Sequence, residues 1–206
     1  IVSENLSPSL CPVGGPAVAS VIAGIMGVEA GEMEPMTAMV MCNGNCNTTK
    51  EVLVPDRLHT CKEAKMFYGG QWACTHGCLG LGDCLAECQY DAICISNGVA
   101  TVNKDLCVGC GACAKACPAH IIDIVKKKDT VFVRCNSTDK GAVARRACSA
   151  ACIGCMKCTK VCKFDAIVVE NNLAKIDRDK CKNCGLCAKE CPTGAIIKQP
   201  KWKPQA

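Results

Sequence analysis

Residues 107–118 read Cys-Val-Gly-Cys-Gly-Ala-Cys-Ala-Lys-Ala-Cys-Pro, with four cysteines and a proline in a fixed spacing. The thiolates of Cys107, Cys110 and Cys113 are separated by two residues each and can bind one side of an iron–sulfur cube. Cys117 is set off by three residues and precedes the proline, the position that serves the other cluster of a pair. The stretch therefore predicts one cluster site and one ligand of a second.

The same spacing occurs three more times along the chain. The copies lie at Cys78, Cys84 and Cys88, at Cys152, Cys155, Cys158 and Cys162, and at Cys181, Cys184, Cys187 and Cys191. In the first copy Leu81 stands where the middle cysteine is expected, and in the second Lys163 replaces the proline. The repeat is typical of bacterial-type ferredoxins with paired four-iron clusters, 2[4Fe-4S], and it predicts two such units in tandem.

Cysteine accounts for 23 of the 206 residues, a usage found in disulfide scaffolds and in metal proteins. Cysteines this close in sequence bridge to one another poorly but chelate a cluster well. The composition therefore favours iron–sulfur clusters over disulfides or a structural zinc protein. Thiols that must stay reduced also indicate a cytosolic setting.

The formal net charge of +5 counts every cysteine as neutral. A four-iron cube with four thiolates instead contributes about −2, so the loaded protein is expected to be acidic overall and not to bind nucleic acid. We interpret the basic runs 126–128 and 145–146 as solvated faces, or as a docking patch for an acidic electron donor. Aromatic residues are few, so folding is expected to depend on cluster loading.

The uncharged stretch 12–28 is the nearest approach to a membrane span. Glycines interrupt it, and it is shorter than a bilayer requires, so we predict a short core-facing helix that begins near Pro16. No signal peptide is visible. Because the chain opens on Ile1, we expect a fragment of a longer protein.

The predicted fold class is α+β, with a first unit over 39–131 and a second over 132–206. Each unit contains a predicted hairpin, which turns at Asn97-Gly98 in the first and at Asn171-Asn172 in the second. Because fourth cysteines swap between paired motifs, we expect three complete sites. These are Cys152, Cys155, Cys158 and Cys191; Cys181, Cys184, Cys187 and Cys162; and Cys107, Cys110, Cys113 and Cys88.

The partner of the Cys107 site has only Cys78, Cys84 and Cys117, because Leu81 removes a thiol. Such a site can become a three-iron [3Fe-4S] cluster, or Cys74 can complete it. A competing grouping, which we favour, places a separate [4Fe-4S] cluster on four other cysteines. These are Cys42, Cys46, Cys61 and Cys74. The chain would then bind five clusters, against at least four from the motifs alone.

Several donors stay outside these groups. Cys135 and Cys148 are either buried thiols or outer ligands, whereas Cys94 is expected to be structural. His76 lies between two expected ligands, and a histidine ligand at that position is the weaker interpretation.

The order of these features resembles the polyferredoxin component, or B subunit, of the Rnf complex, the ion-translocating ferredoxin:NAD+ oxidoreductase of anaerobic bacteria. The segments that carry the resemblance are Leu-Cys-Pro-Val-Gly-Gly at 10–15, Met-Val-Met-Cys at 39–42, Gly-Cys-Leu-Gly-Leu-Gly-Asp-Cys at 77–84 and Glu-Asn-Asn-Leu-Ala-Lys-Ile-Asp at 170–177. The resemblance covers essentially the whole chain.

This resemblance implies an N-terminal membrane helix and a small four-iron domain, of which residues 1–38 would be the C-terminal remnant and linker. Cys11 would be the last ligand of that domain, whose other cysteines are not in this sequence. It also implies a non-catalytic relay component of a translocase at the cytoplasmic face of the bacterial cell membrane, in contact with the membrane through its partners or the missing helix.

In such a complex this component accepts electrons from reduced ferredoxin and passes them to other Rnf subunits and finally to NAD+, while Na+ or H+ is transported. The alternatives are a polyferredoxin component of another soluble oxidoreductase and a structural zinc protein.

Overall fold

The computed structural model describes residues 7–11, 13–31, 33–52, 58–67 and 69–202. After a 3-10 turn at Pro8–Leu10, its helices are α1 (Gly15–Met26), α2 (Cys61–Met66), α3 (Asp83–Ala86), α4 (Ala112–Ala116), α5 (Gly141–Ala147), α6 (Lys157–Lys160) and α7 (Leu186–Lys189). Its strands are β1 (Met36–Val40), β2 (Ile93–Ser96), β3 (Val99–Val102), β4 (Ile122–Lys126), β5 (Val131–Val133), β6 (Ile167–Glu170), β7 (Leu173–Ile176) and β8 (Ile196–Lys198).

The strands form four antiparallel pairs that repeat one plan twice. In the first unit β1 pairs with β4 and β2 pairs with β3; in the second β5 pairs with β8 and β6 pairs with β7. In each unit the outer strands enclose a hairpin and two cysteine motifs. This arrangement confirms the predicted α+β fold with two ferredoxin-like units.

Both hairpins turn at the predicted residues. Asn97 and Gly98 have φ of 51° and 76°, and Asn171 and Asn172 have φ of 49° and 63°. Two consecutive positive φ values are what a two-residue type I′ turn requires, and asparagine and glycine adopt them at low cost. The turns fix the register, with Ser96 opposite Val99 and Glu170 opposite Leu173.

A helix of one turn carries the third cysteine position of each motif. Each begins after a residue in the left-handed region, which is glycine in α3, α4 and α7 and Met156 in α6. Helices this short are not stable alone, so packing must hold them. The helices contact each other in pairs, α3 with α4 and α6 with α7, and this brings two motifs together in each unit.

The core of each unit combines small aliphatic side chains with cysteines. Between the units lies Phe132, the largest fully buried side chain, packed against Met39 and Val125 of the first unit. Two cations lie near its ring centroid, Arg178 at 4.5 Å and Lys104 at 5.5 Å. This aromatic contact joins the two units.

The helix predicted near Pro16 is α1. It has proline in its first turn and ends at Gly27, a left-handed residue whose N–H donates to the carbonyl of Ala23. Only Ala19 and Ala23 are buried along it. Within the described ranges, no helix combines the length and apolarity that crossing a bilayer requires.

Candidate metal centres

The complete motif of the first unit forms an apolar cavity of about 310 Å³, counting solvent at its mouth. Its thiols are Cys88, Cys107, Cys110 and Cys113. The N–H of Ala38 on β1 donates to Cys107 Sγ at 3.3 Å. Gly109 has φ of 72°, and a Cβ there would lie 2.7 Å from the Cβ of Met36. Glycine therefore lets the motif lie directly against β1.

The second unit groups its thiols as the spacing predicts. Cys152, Cys155, Cys158 and Cys191 line one cavity of about 330 Å³. Cys187 lies close enough to Cys181, Cys184 and Cys162 for their negative charge, after burial, to raise its pKa to about 11. Each motif thus donates its fourth cysteine to the other, although binding of clusters at these thiols stays a prediction.

The defective motif of the first unit also has four thiols. Cys61, Cys78, Cys84 and Cys117 line a cavity of about 380 Å³, called here the Leu81 cavity. The fourth thiol comes from Cys61, and Cys74 does not line this cavity. Leu81 packs instead beside Cys61 and Ala64 of α2. Leu81 thus makes a hydrophobic contact where the motif would have a thiol. The contact is with α2, the helix that supplies Cys61 as the fourth thiol.

Two devices fix Cys61 in this position. Thr60 and Glu63 form a capping box that starts α2 at Cys61. The carboxylate of Asp83, the first residue of α3, accepts hydrogen bonds from the N–H groups of Cys61 at 2.7 Å and Lys62 at 3.0 Å. The start of α2 is therefore tied to the residue that precedes Cys84.

This arrangement differs from the favoured grouping of Cys42, Cys46, Cys61 and Cys74. The Glu51–Trp72 bridge closes the intervening segment, and α2 then brings Cys61 to the Leu81 cavity. Cys46 is exposed, and its N–H donates to the carbonyl of Asn97. With four thiols in the Leu81 cavity, the reason to expect a three-iron cluster there also disappears.

Cys42 and Cys74 line a different cavity, of about 450 Å³ including open solvent, called here the junction cavity. Its other thiols are Cys135 and Cys148 from the second unit, together with Cys78, which also lines the Leu81 cavity. His76 lines the same cavity, and its Nε2 lies 3.4 Å from Asp139 Oδ2. Cys135 and Cys148, which the sequence assigned to no site, thus share a cavity with Cys42 and Cys74, two members of the favoured grouping.

The remaining cysteines lie outside these groups. Cys11, Cys46 and Cys94 are exposed, and Cys94 Sγ lies 3.0 Å from the hydroxyl of Thr101. Of the basic run, Lys126 and Lys128 pair with Glu34, and Lys127 is buried with its Nζ 4.8 Å from the ring centroid of Trp202. These contacts within the chain occupy the charges of this run, whereas Arg145 and Arg146 of the second run are exposed and a docking patch there stays a prediction.

Burial makes ionised thiols costly in these cavities. It raises the pKa of Cys84 to about 12, and those of Cys78, Cys113 and Cys158 to about 11, with repulsion from neighbouring thiols as a further cause. Four thiolates facing one another need a compensating cation, because like charges in an apolar site disfavour ionisation.

This donor set fits a four-iron cube. Soft thiolates in fours, apolar walls and close backbone are what such a cofactor requires. No group of three or more described His, Cys, Asp and Glu side chains converges on a position for one metal ion. The four ligands of a cube each bind a different iron, so they need not converge on a single point.

Comparison with known proteins identifies four-iron domains over two of these regions. A family model described as a 4Fe-4S dicluster domain matches residues 151–195, and one described as a 4Fe-4S binding domain matches residues 100–123.

Three relatives match almost the full chain, and each is the B subunit of an ion-translocating complex. That of the Na+-translocating ferredoxin:NAD+ oxidoreductase complex of Acetobacterium woodii is 44% identical, over 95% of this chain and 59% of that protein. The proton-translocating counterpart of Clostridium ljungdahlii is 41% identical, over 95% of this chain and 70% of that protein. That of the ion-translocating oxidoreductase complex of Methanosarcina acetivorans is 39% identical, over 95% and 75%. The chain thus spans about three fifths of the length of the first relative.

Proposed function

Because the chain belongs to the family of B subunits of ion-translocating ferredoxin:NAD+ oxidoreductase complexes, we propose that it relays electrons from reduced ferredoxin into such a complex. The observation that carries the proposal is the arrangement of four motifs in two interlocked pairs, each with a complete set of four thiols. A [4Fe-4S] cluster, when bound, supplies one-electron transfer.

The chain's own residues hold the sulfurs, exclude water and adjust charge. Backbone N–H groups donate to the sulfurs of expected ligands in three of the sets: Ala38 to Cys107 at 3.3 Å, Ala100 to Cys78 at 3.4 Å and Asn183 to Cys181 at 3.5 Å. Such bonds stabilise the more negative, reduced state of a cluster and so raise its reduction potential. The backbone around each site therefore contributes to the reduction potential of the cluster expected there.

Each complete motif also presents one cysteine to solvent. Cys110, Cys155 and Cys184 are exposed, whereas the third cysteines of the same motifs are buried. Exposed apolar side chains lie within four residues, namely Leu106, Met156 and Leu186. These edges suit the approach of a redox partner, since a cluster near the surface exchanges electrons with least intervening protein.

The proposed donor is reduced ferredoxin, and the proposed acceptors are other subunits of the complex, which would hold the chain at the cytoplasmic face of the cell membrane. Support comes from the names of the relatives, which specify ferredoxin, NAD+ and ion translocation.

Anaerobic stopped-flow mixing with reduced ferredoxin tests the proposal. We expect brown protein whose broad visible absorbance bleaches on mixing and recovers when acceptor subunits are added. Colourless protein with stoichiometric zinc, or absorbance that reduced ferredoxin leaves unchanged, would contradict it. Co-purification with the membrane subunits separates this function from that of a polyferredoxin in another soluble oxidoreductase.

A further inference from the structure

We propose that the junction cavity binds a fifth [4Fe-4S] cluster, held by two thiols from each unit. The ligands are Cys42, Cys74, Cys135 and Cys148. This inference rests on the proposed function, because it assumes that the chain is loaded with iron–sulfur clusters.

The first argument is the internal symmetry of the four thiols. Cys42 lies two residues after the end of β1, and Cys135 lies two residues after the end of β5. Cys74 precedes Cys78 by four residues, just as Cys148 precedes Cys152. The two units therefore contribute equivalent pairs to one shared cavity.

The hydrogen bonds repeat with the thiols. The N–H of Cys78 donates to Cys42 Sγ at 3.4 Å, and the N–H of Cys152 donates to Cys135 Sγ at 3.2 Å. Cys78 and Cys152 are each the first cysteine of a motif, in the Leu81 cavity and in its counterpart of the second unit. The junction cavity is thus one hydrogen bond away from a predicted cluster site in each unit.

Two glycines leave room beside the sulfurs. A Cβ on Gly44 would lie 3.4 Å from Cys148 Sγ and 3.5 Å from Cys42 Sγ. A Cβ on Gly77 would lie 3.3 Å from Cys42 Sγ and 3.6 Å from Cys74 Sγ. Because neither residue has a side chain, the backbone approaches the sulfurs closely, as cluster sites require.

A half-buried cation gives an independent indication. Arg134 lines the cavity, its Nε donates to the carbonyl of Val40 at 3.1 Å, and it lies 3.4 Å from the side-chain oxygen of Asn43. No carboxylate among the described residues pairs with this guanidinium. Burying an unpaired charge is costly, so a negative group is expected beside it. A cube with four thiolates, at about −2, would be that group.

The cavity walls are made by direct pairing of the units. Thr49 and Cys148 form a β-bridge, the N–H of Ser149 donates to the carbonyl of Thr48 at 2.8 Å, and the N–H of Asn43 donates to the carbonyl of Arg134 at 2.8 Å. Main-chain contacts between the two units therefore hold the segments that carry Cys42, Cys135 and Cys148 against each other.

Cluster counting on the intact, anaerobically reconstituted chain is the first test. Native mass spectrometry and iron analysis should give five clusters and about 20 iron atoms per chain. Four clusters with about 16 iron atoms would overturn the fifth site and leave the proposed function standing. Zinc in place of iron would overturn both.

Substitution of one ligand identifies the site. Cys148→Ala should lose one cluster, about four iron atoms, while the other four clusters remain. Cys46→Ala is the matched control, because Cys46 is an exposed thiol outside the cavity, and it should lose none. Equal iron content in the two variants would overturn the assignment. Should Cys148→Ala fail to fold, the cluster count of the unchanged chain decides.

Arg134 offers a readout that iron counting does not. In the repeat it corresponds to Met41, so Arg134→Met gives the second unit the residue of the first. Loss of the positive charge should lower the midpoint potential of one cluster in an EPR-monitored titration, and Arg134→Lys should restore it. Potentials identical in all three proteins would contradict a cluster beside Arg134.

Discussion

The two units obtain the fourth thiol of equivalent sets in different ways. In the second unit Cys155 lies within the motif and is exposed, and the set of four thiols comes from the motifs alone. In the first unit Leu81 holds that position, packs against α2 and leaves the fourth thiol to Cys61, from twenty residues upstream. The comparison shows that four sulfurs can meet in one cavity even when a motif lacks a cysteine, because a segment outside the motif supplies the fourth.

The largest effect is expected from moving the fourth thiol of the Leu81 cavity from position 61 to position 81. Cys61→Ala should convert the Leu81 cavity to a three-thiol site with the EPR signal of an oxidised [3Fe-4S] cluster. Adding Leu81→Cys to that variant should restore the regular motif and the four-iron cluster. An EPR-silent Cys61→Ala protein with unchanged iron content would show that Cys61 is not a ligand.

The next largest effect is expected from removing the aromatic contact between the units. Phe132→Ala removes the largest fully buried side chain from between them, and we expect the free energy of unfolding of the loaded protein to fall by about 3–5 kcal/mol. Urea denaturation followed by visible absorbance and circular dichroism measures this. Phe164→Ala is the control in the second unit, because that ring is largely exposed. Equal effects of the two substitutions would show that the buried contact does not join the units energetically.

The hydrogen bonds that join α2 to α3 should contribute less to stability than the Phe132 contact does. Asp83→Ala removes a carboxylate that accepts two N–H groups, and we expect a loss of about 2 kcal/mol in stability, concentrated in the first unit. The corresponding residue of the second unit is Lys157, so Lys157→Ala is the matched control. Hydrogen exchange of the Cys61 and Lys62 amides should accelerate in Asp83→Ala. Unchanged protection there would contradict the role of Asp83.

The smallest effect is expected in the pH dependence of iron uptake, which should be similar in the two units. Burial raises the pKa of Cys84 in the first unit and of Cys158 in the second, so these thiols keep their protons at neutral pH when no iron is bound. Since iron binds thiolates and displaces those protons, iron uptake by the cluster-free chain should strengthen as pH rises from 7 to 9 in both units. Uptake is measured as iron bound per chain at a series of pH values across this range. Uptake that does not change with pH would show that the thiols ionise before iron arrives.

Local spacing was enough to predict much of this molecule. Three expected ligands of each regular motif lie within seven residues, so chain geometry alone brings them together. The swapped fourth cysteine follows from the pairing of motifs. The hairpins were equally accessible, because Asn97-Gly98 requires a particular turn.

The expected ligands outside the regular motifs come together only through tertiary structure. The sequence predicted a different grouping for them than the structure shows. Cys61 approaches Cys84 only because α2 folds back onto α3, and Cys135 meets Cys42 only because two units pair through their loops. One local signal was available, the Thr60–Glu63 capping box that begins a helix at Cys61. No comparable local signal marks Cys148, whose position depends on its bridge to Thr49.

The exchange of fourth cysteines has a consequence for the way the chain is made. Synthesis proceeds from the N-terminus, so a set of four thiols exists only once its last member has been translated. The Cys88 set is complete at Cys113 and the Leu81 set at Cys117, followed by the junction cavity at Cys148 and the second unit at Cys187 and Cys191. Among these sets, which all lie in the described part of the chain, none is complete before Cys113, so the earlier cysteines of the first unit emerge as reduced thiols awaiting iron. The two sets of each unit then finish within four residues of each other, which makes the delivery of clusters a paired event.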